Sequence, residues 1–125
     1  MLNKVDYKEN YLFIDSTYGC QRINVGHKVW KILSDDNRII VLVDPEKLYD
    51  TELNNRNVLC FNEQGKVLWQ VEDPDIYRSG KIKTEAPFTS IRIVDSKLEG
   101  GTWDGFDIYI DVQTGKLLPG WEFTK

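Results

Sequence analysis

The residues that most often carry out catalysis are scarce in this sequence. It contains one histidine, His27, and two cysteines, Cys20 and Cys60. A zinc site usually takes three or four His, Cys or carboxylate ligands, so this supply predicts no metal centre. Cys20 lies shortly before His27 and could in principle pair with it as a thiol–imidazole nucleophile, but no third group that would orient the imidazole is evident. We expect His27 to be a turn or strand-end residue.

Carboxylates are the other candidates, because two of them can perform acid–base chemistry without help. They fall in two clusters, Asp73-Pro74-Asp75 and the set Asp104, Asp107 and Asp111. On one strand, Asp107 and Asp111 would lie about 13 Å apart, which is too far for a glycosidase pair. Neither cluster matches the calcium-binding loop of an EF-hand. We interpret these residues as solvated acids.

The sequence therefore predicts a protein that binds and does not catalyse, without cofactor or metal. A net charge of −4 argues against nucleic-acid binding, which calls for clustered Lys and Arg. The longest apolar run, Ile39 to Val43, is too short to span a membrane, and the first ten residues lack the apolar stretch of a secretion signal. Two cysteines without an export signal predict reduced thiols and a cytoplasmic protein.

Short β patterns separated by turn signals organise the chain. With 125 residues, of which 41% are hydrophobic, it is expected to form a single domain, residues 1–125. We predict an all-β fold, an antiparallel meander of about seven to nine strands arranged as a sandwich or an open barrel. Asp44-Pro45 is the one helix-start signal and allows one short helix near residues 45–53.

Two strands stand out from the rest. The run from Ile39 to Val43 is apolar at every position, which predicts a central strand buried on both faces. The segment Phe106 to Val112 alternates, which predicts inward Phe106, Ile108, Ile110 and Val112 and outward Asp107, Tyr109 and Asp111. Gly100-Gly101 indicates a turn, and the polar segment from Glu72 to Pro87 indicates the longest loop.

Two segments of the sequence share one order of features. Val58 to Trp69 and Ile108 to Trp121 each contain a strand, a polar corner, a Gly-Lys pair, a second apolar run and a tryptophan, and Leu12 to Asp15 with Val29-Trp30 is a fainter third copy. The pattern resembles the outer hairpin of quinoprotein-type β-propeller blades, in which an aspartate, a Gly-Lys pair and a tryptophan recur. A propeller takes four blades or more, so we interpret the copies as repeated hairpins of a meander, and no quinone cofactor follows.

Aromatic residues near acids predict a surface for protein contact. Trp and Tyr supply contact area, and acids steer a basic partner. The candidate partner-binding residues are Asp73, Asp75, Tyr77, Trp103, Asp104, Asp107 and Tyr109. A small, acidic, cysteine-poor and aromatic-rich domain also resembles the immunity proteins of bacterial toxin systems. That resemblance implies an inhibitor that covers the active site of a toxin domain, and the acidic composition suits a basic partner such as a nuclease.

Two other functions remain open at this point. The first is a sugar-binding or small-molecule-binding domain, weakly hydrolytic at most, which would use Asp104, Asp107 and nearby aromatic residues. The second is a structural subunit that completes a larger sheet assembly by self-association, which blade-like hairpins allow. It is equally compatible with the sequence that Trp103 covers the core and that Tyr109 packs on a neighbouring strand. The oligomeric state stays open.

Overall fold

The computed structural model describes residues 1–46, 48, 51–74 and 86–120 and the backbone of 122–123. These residues form eleven strands in three antiparallel sheets that do not close into a barrel, and they include no helix long and apolar enough to cross a membrane. The predicted all-β antiparallel meander is confirmed. The described part of 45–53 forms turns and coil in place of the optional short helix.

Within each sheet, strands that are consecutive in the sequence pair with each other. Sheet A consists of β1 (Leu2–Lys8), β2 (Tyr11–Ser16) and β3 (Gly19–Asn24). Sheet B consists of β4 (Val29–Ser34), β5 (Arg38–Val43), β6 (Val58–Asn62) and β7 (Val67–Gln70). Sheet C consists of β8 (Phe88–Val94), β9 (Lys97–Thr102), β10 (Phe106–Ile110) and β11 (Glu122–Phe123). The strand number exceeds the predicted one mainly because the polar β1 and β3 and the glycine-containing β9 lack clear apolar alternation.

Sheet B lies between the other two sheets, and β5 is its centre. Alternate side chains of a strand point to opposite faces, so β5 contributes to two cores. Ile39, Val41 and Val43 belong to the core shared with sheet A, whereas Ile40 and Leu42 belong to the core shared with sheet C. All five are buried. The central position predicted from the aliphatic run is confirmed.

Two buried asparagines fasten the start of sheet C to sheet B. The Asn57 side-chain amide donates to the carbonyl oxygens of Val43 (2.9 Å) and Phe88 (2.8 Å), and its Oδ1 accepts from the Phe88 N–H (2.9 Å). Asn55 Oδ1 accepts from the N–H of Ala86 at 2.7 Å. Because buried backbone groups need hydrogen-bond partners, these amides stabilise the junction between the end of β5 and the start of β8.

The predicted turn at Gly100-Gly101 is wrong, because both glycines lie within β9. A Cβ on Gly100 would lie 2.6 Å from the Phe88 ring, and one on Gly101 would lie 2.5 Å from Ser90 Oγ. The glycines thus let side chains of β8 lie directly over β9. A glycine pair within a strand marks such a close approach as readily as it marks a turn.

In sheet B, the segment that starts at Val58 comprises β6 and most of β7, whereas in sheet C the segment that starts at Ile108 comprises the end of β10 and an isolated bridge from Leu117 back to Ile110. In sheet B, the Gly65 N–H donates to the Asn62 carbonyl at 3.0 Å, and in sheet C the Gly115 N–H donates to the Asp111 carbonyl at 2.8 Å. Asn62 Oδ1 accepts from the Gln64 N–H at 2.9 Å, as Asp111 Oδ1 accepts from the N–H two residues on at 2.8 Å. Asn62 and Asp111 therefore make the same side-chain hydrogen bond in two equivalent turns.

Each turn glycine packs against the last strand of the preceding sheet. A Cβ on Gly65 would overlap Ile23 of β3, and one on Gly115 would lie 2.6 Å from the Trp69 ring of β7. The Trp69 indole also donates to the Val112 carbonyl at 2.8 Å. The fainter third copy is divided between sheets, since Leu12 to Asp15 lie in β2 and Val29-Trp30 lie in β4.

Candidate functional site

The outward face of sheet C collects several charged side chains. The strand register places Arg92 opposite Glu99 and Glu99 opposite Tyr109, so these three residues share one face. Asp107 lies on the same face, because side chains two apart on a strand point the same way. With Lys97 and the adjoining turn residue Trp103, they form what we call the sheet C surface, which faces away from sheet B.

Opposite charges are matched on the sheet C surface. Arg92 donates through Nε to Glu99 Oε1 at 2.8 Å and through a second guanidinium nitrogen to the same oxygen, and it lies 3.9 Å from an Asp107 oxygen. The hydrogen bond to Glu99, reinforced by the charge of that carboxylate, raises the pKa of the Arg92 guanidinium. Lys97 Nζ lies 5.4 Å from the centre of the Tyr109 ring, within range of a cation–π interaction. The acids here are therefore neutralised by neighbours.

Trp103 lies in the turn between β9 and β10 and is 68% exposed. Its backbone N–H donates to the Pro87 carbonyl at 2.9 Å, and the Gly105 N–H donates to the Thr102 carbonyl at 3.0 Å. The Thr102 hydroxyl donates to Asp104 Oδ1 at 2.6 Å and accepts from the N–H of the first β10 residue at 3.1 Å. These bonds fix the backbone that presents the indole.

The structure brings together four of the seven predicted partner-binding residues. Trp103, Asp104, Asp107 and Tyr109 all lie on the β9–β10 hairpin. Asp73 does not join them. It follows β7 in coil, next to Glu72, whose N–H donates to the Gly115 carbonyl beyond the far end of β10. Asp75 and Tyr77 lie outside the described residues.

Sequence reasoning missed Arg92, Lys97 and Glu99. The Asp95-Ser96 turn, where both residues have positive φ, pairs Arg92 with Glu99 across the β8–β9 hairpin. The sequence signal for this ion pair was that Arg92 and Glu99 have opposite charges and are equally distant from a short turn. It was overlooked because the glycines after Glu99 were interpreted as the turn.

The reactive groups considered from the sequence are separated. Cys20 lies at the start of β3, whereas His27 lies three residues past its end, and they line different cavities, of about 390 Å³ and about 350 Å³. Burial raises the pKa of the Cys60 thiol to about 11, an effect that the nearby Arg38 charge partly offsets. Within the described ranges, no group of three or more His, Cys, Asp or Glu side chains is placed to hold a metal ion.

Comparison with known proteins identifies a family to which the chain belongs and a solved structure with a similar fold. A solved structure of the computationally designed Ika8 protein matches with a TM-score of 0.52 and 14% identity, over 97% of this chain and 36% of that chain. The chain thus spans about a third of that protein, and the likeness concerns the fold alone. No curated protein matches. The model of the family described as domain of unknown function (DUF7957) matches residues 2–120, so the chain belongs to this family.

Proposed function

We propose that this protein is a non-enzymatic binding domain whose partner is another protein, contacted through the sheet C surface. The observation that carries the proposal is the exposure of Trp103, at 68%, on a hydrogen-bonded turn. Tryptophan is enriched among the residues that dominate binding energy, because it buries a large area with few rotatable bonds. An anchor held on a fixed backbone loses little conformational entropy when a partner binds.

The surroundings of Trp103 suit the rim of an interface. Asp107 and Tyr109 are half-buried and lie on the same hairpin, with Arg92 and Lys97 beside them. Protein interfaces commonly combine an apolar centre with a polar rim whose hydrogen bonds are satisfied. The ion pairs already present in the free protein mean that these polar groups need little rearrangement when a partner covers them.

We further propose an immunity-type role, in which the protein neutralises a bacterial toxin in the cytoplasm. The net charge of −4 favours the approach of a basic toxin domain through long-range attraction. Glu99 and Asp107 are engaged by Arg92, so the contact itself would depend on Trp103 more than on excess negative charge. Added salt should therefore slow association and leave the dissociation rate nearly unchanged.

The test is a binding measurement with the protein encoded by the adjacent gene. Trp103→Ala is expected to weaken that complex by at least about 30-fold, as for an interface anchor worth about 2 kcal/mol. Val67→Ala is the matched control, because Val67 is also exposed, at 56%, but lies on β7 of sheet B. Toxicity rescue in cells that express both proteins provides the second readout.

Two outcomes would count against the proposal. One is the failure of any neighbour-encoded protein to bind. The other is a complex that Trp103→Ala and Val67→Ala weaken equally, since a general effect on folding would then explain the loss. Circular dichroism of both variants shows whether the fold is retained before binding is compared.

A further inference from the structure

The outward face of sheet A contains a cavity of about 390 Å³. Leu12 and Ile14 of β2 and Val5 of β1 pack toward sheet B, so the residues next to them in the sequence point away from it. Small-molecule sites commonly measure about 300–1,000 Å³, so the cavity is large enough for one small ligand. We call it the sheet A cavity, and the side chains of the outward face that line it are Lys4, Asp6, Phe13, Asp15, Cys20 and Arg22.

The strand register places the lining side chains in two rows that cross the sheet. The rows are Asp6, Phe13 and Arg22 in one case and Lys4, Asp15 and Cys20 in the other. Asp15 and Cys20 have short side chains, whereas the ring of Phe13 is large and 41% exposed. The Phe13 ring therefore forms an apolar wall beside a recess, where its exposed aromatic area can contact a ligand.

Charged groups of both signs in the sheet A cavity are available to a ligand. Within the described residues, the half-buried Asp15 carboxylate forms no ion pair or hydrogen bond, although Lys4 lies opposite it in the register. Arg22 has no carboxylate partner among those residues either, and its guanidinium lies 5.0 Å from the centre of the Tyr11 ring, within range of a cation–π interaction. A guanidinium held in this way keeps its N–H groups available for an anion.

The mixture of charges determines which class of ligand fits the sheet A cavity. The lining has no net charge, because one lysine and one arginine are balanced by two aspartates. A nucleotide or another polyanion would meet both carboxylates, and an organic cation would meet both basic side chains, so each would be repelled in part. A small zwitterion pairs with one group of each sign, and an apolar part of it can contact the Phe13 ring.

We propose that the sheet A cavity binds a free amino acid with an aromatic or large apolar side chain. Asp15 and Arg22 are diagonal neighbours on β2 and β3, so their Cβ atoms lie about 7–8 Å apart. In that space the ammonium group of the ligand donates to Asp15 and its carboxylate accepts from the Arg22 guanidinium, while its side chain packs on Phe13. Lys4 competes for Asp15 only weakly, because an exposed ion pair contributes little. The site is on sheet A and does not depend on the proposed role of Trp103.

The exposed thiol of Cys20 reports whether the cavity is occupied. Iodoacetamide should alkylate Cys20 and spare Cys60, which is buried and whose pKa is raised to about 11. L-phenylalanine in excess over its Kd is expected to slow alkylation of Cys20 at least about fivefold, measured by mass spectrometry of the intact protein. N-acetyl-L-phenylalanine lacks the ammonium group, L-phenylalaninamide lacks the carboxylate and L-alanine lacks the ring. Each should need at least about tenfold higher concentration for the same protection.

Substitutions combined with the truncated ligands identify the individual contacts. Asp15→Asn should weaken binding of L-phenylalanine at least about tenfold in calorimetry, but should change binding of N-acetyl-L-phenylalanine less than about threefold, because that ligand has no ammonium group to lose. Arg22→Gln should weaken L-phenylalanine in the same way and should spare L-phenylalaninamide, which has no carboxylate. Lys116→Gln, exposed in a turn of sheet C, is the control and should leave the binding of all three ligands unchanged.

Three results overturn the proposal. The first is that L-phenylalanine does not protect Cys20. The second is that N-acetyl-L-phenylalanine protects it equally well, since apolar contact with Phe13 would then explain the binding. The third is that Asp15→Asn weakens all three ligands alike, which would indicate a general effect on the sheet. None of these results bears on Trp103, because its proposed role is tested with a protein partner and on sheet C.

Discussion

Asn57 offers the sharpest test of how the sheets are held together. Its side chain is fully buried and makes three hydrogen bonds, to the Val43 carbonyl (2.9 Å), the Phe88 carbonyl (2.8 Å) and the Phe88 N–H (2.9 Å). Asn57→Ala would leave these three backbone groups without those partners in the interior. At about 1–3 kcal/mol for each buried unsatisfied group, and with less than full additivity, the expected loss of unfolding free energy is about 3–5 kcal/mol.

Urea unfolding followed by tryptophan fluorescence measures this loss directly. Asn3→Ala is the control, because Asn3 is exposed on β1, and it should change the unfolding free energy by no more than about 0.5 kcal/mol. Asn57→Leu keeps the branched shape and the number of side-chain heavy atoms without the hydrogen bonds, and should be nearly as destabilising as Asn57→Ala. A loss below about 1 kcal/mol for Asn57→Ala would refute the assigned role.

The same substitution connects stability to the proposed function. Phe88 follows Pro87, whose carbonyl accepts the Trp103 N–H at 2.9 Å. Loosening the start of β8 therefore loosens one of the bonds that fix the turn of Trp103. If the sheet C surface binds a partner, Asn57→Ala should weaken the complex even at temperatures where the variant remains folded.

The other predictions concern turns and thiols. Gly115→Ala should lower the free energy of unfolding by about 2–4 kcal/mol, because the added methyl group clashes with Trp69 and the residue must also keep a positive φ. Gly19→Ala has the same backbone strain, with φ +100, but nothing within 4 Å of the added methyl group, and should cost about 1 kcal/mol. Equal losses for the two variants would contradict the packing of Gly115 on Trp69. The Cys60 thiol, whose pKa rises from 9.0 to about 11 on folding, contributes stability that is present below pH 9 and lost toward pH 11. The difference in free energy of unfolding between the unmodified protein and Cys60→Ala should therefore change by about 2–3 kcal/mol between pH 9 and pH 11. If the two proteins lose stability in parallel over this interval, the Cys60 thiol does not have the raised pKa.

The sequence by itself determined those elements that local patterns specify. The unbroken aliphatic run from Ile39 to Val43 requires apolar neighbours on both faces, and this alone predicts a central strand. The alternation of apolar and polar residues around Ile108 and Ile110 predicts that both are buried, because every second side chain of a strand points to the same face. Gly65 and Gly115 are needed at their turns by the positive φ that each adopts.

One local pattern was misleading for a local reason. Strict alternation would place Val67, Trp69 and Val71 on one face of β7 and its continuation, but Val67 is 56% exposed while the other two are buried. The pairing shifts between Cys60 and Phe61, so β7 contains a bulge and the alternation is interrupted there. A bulge inserts one residue without any composition that announces it.

Only the tertiary structure decided what the candidate surfaces are. Arg92 pairs with Glu99 and lies near Asp107, so it offsets part of the negative charge of the β9–β10 hairpin, and this depends on which strands lie side by side. The hydrogen bonds of the buried Asn57 amide likewise follow from how whole sheets meet. Periodicity reports which face of a strand is buried, but it carries no information about the partner that buries it, and that partner is distant along the chain.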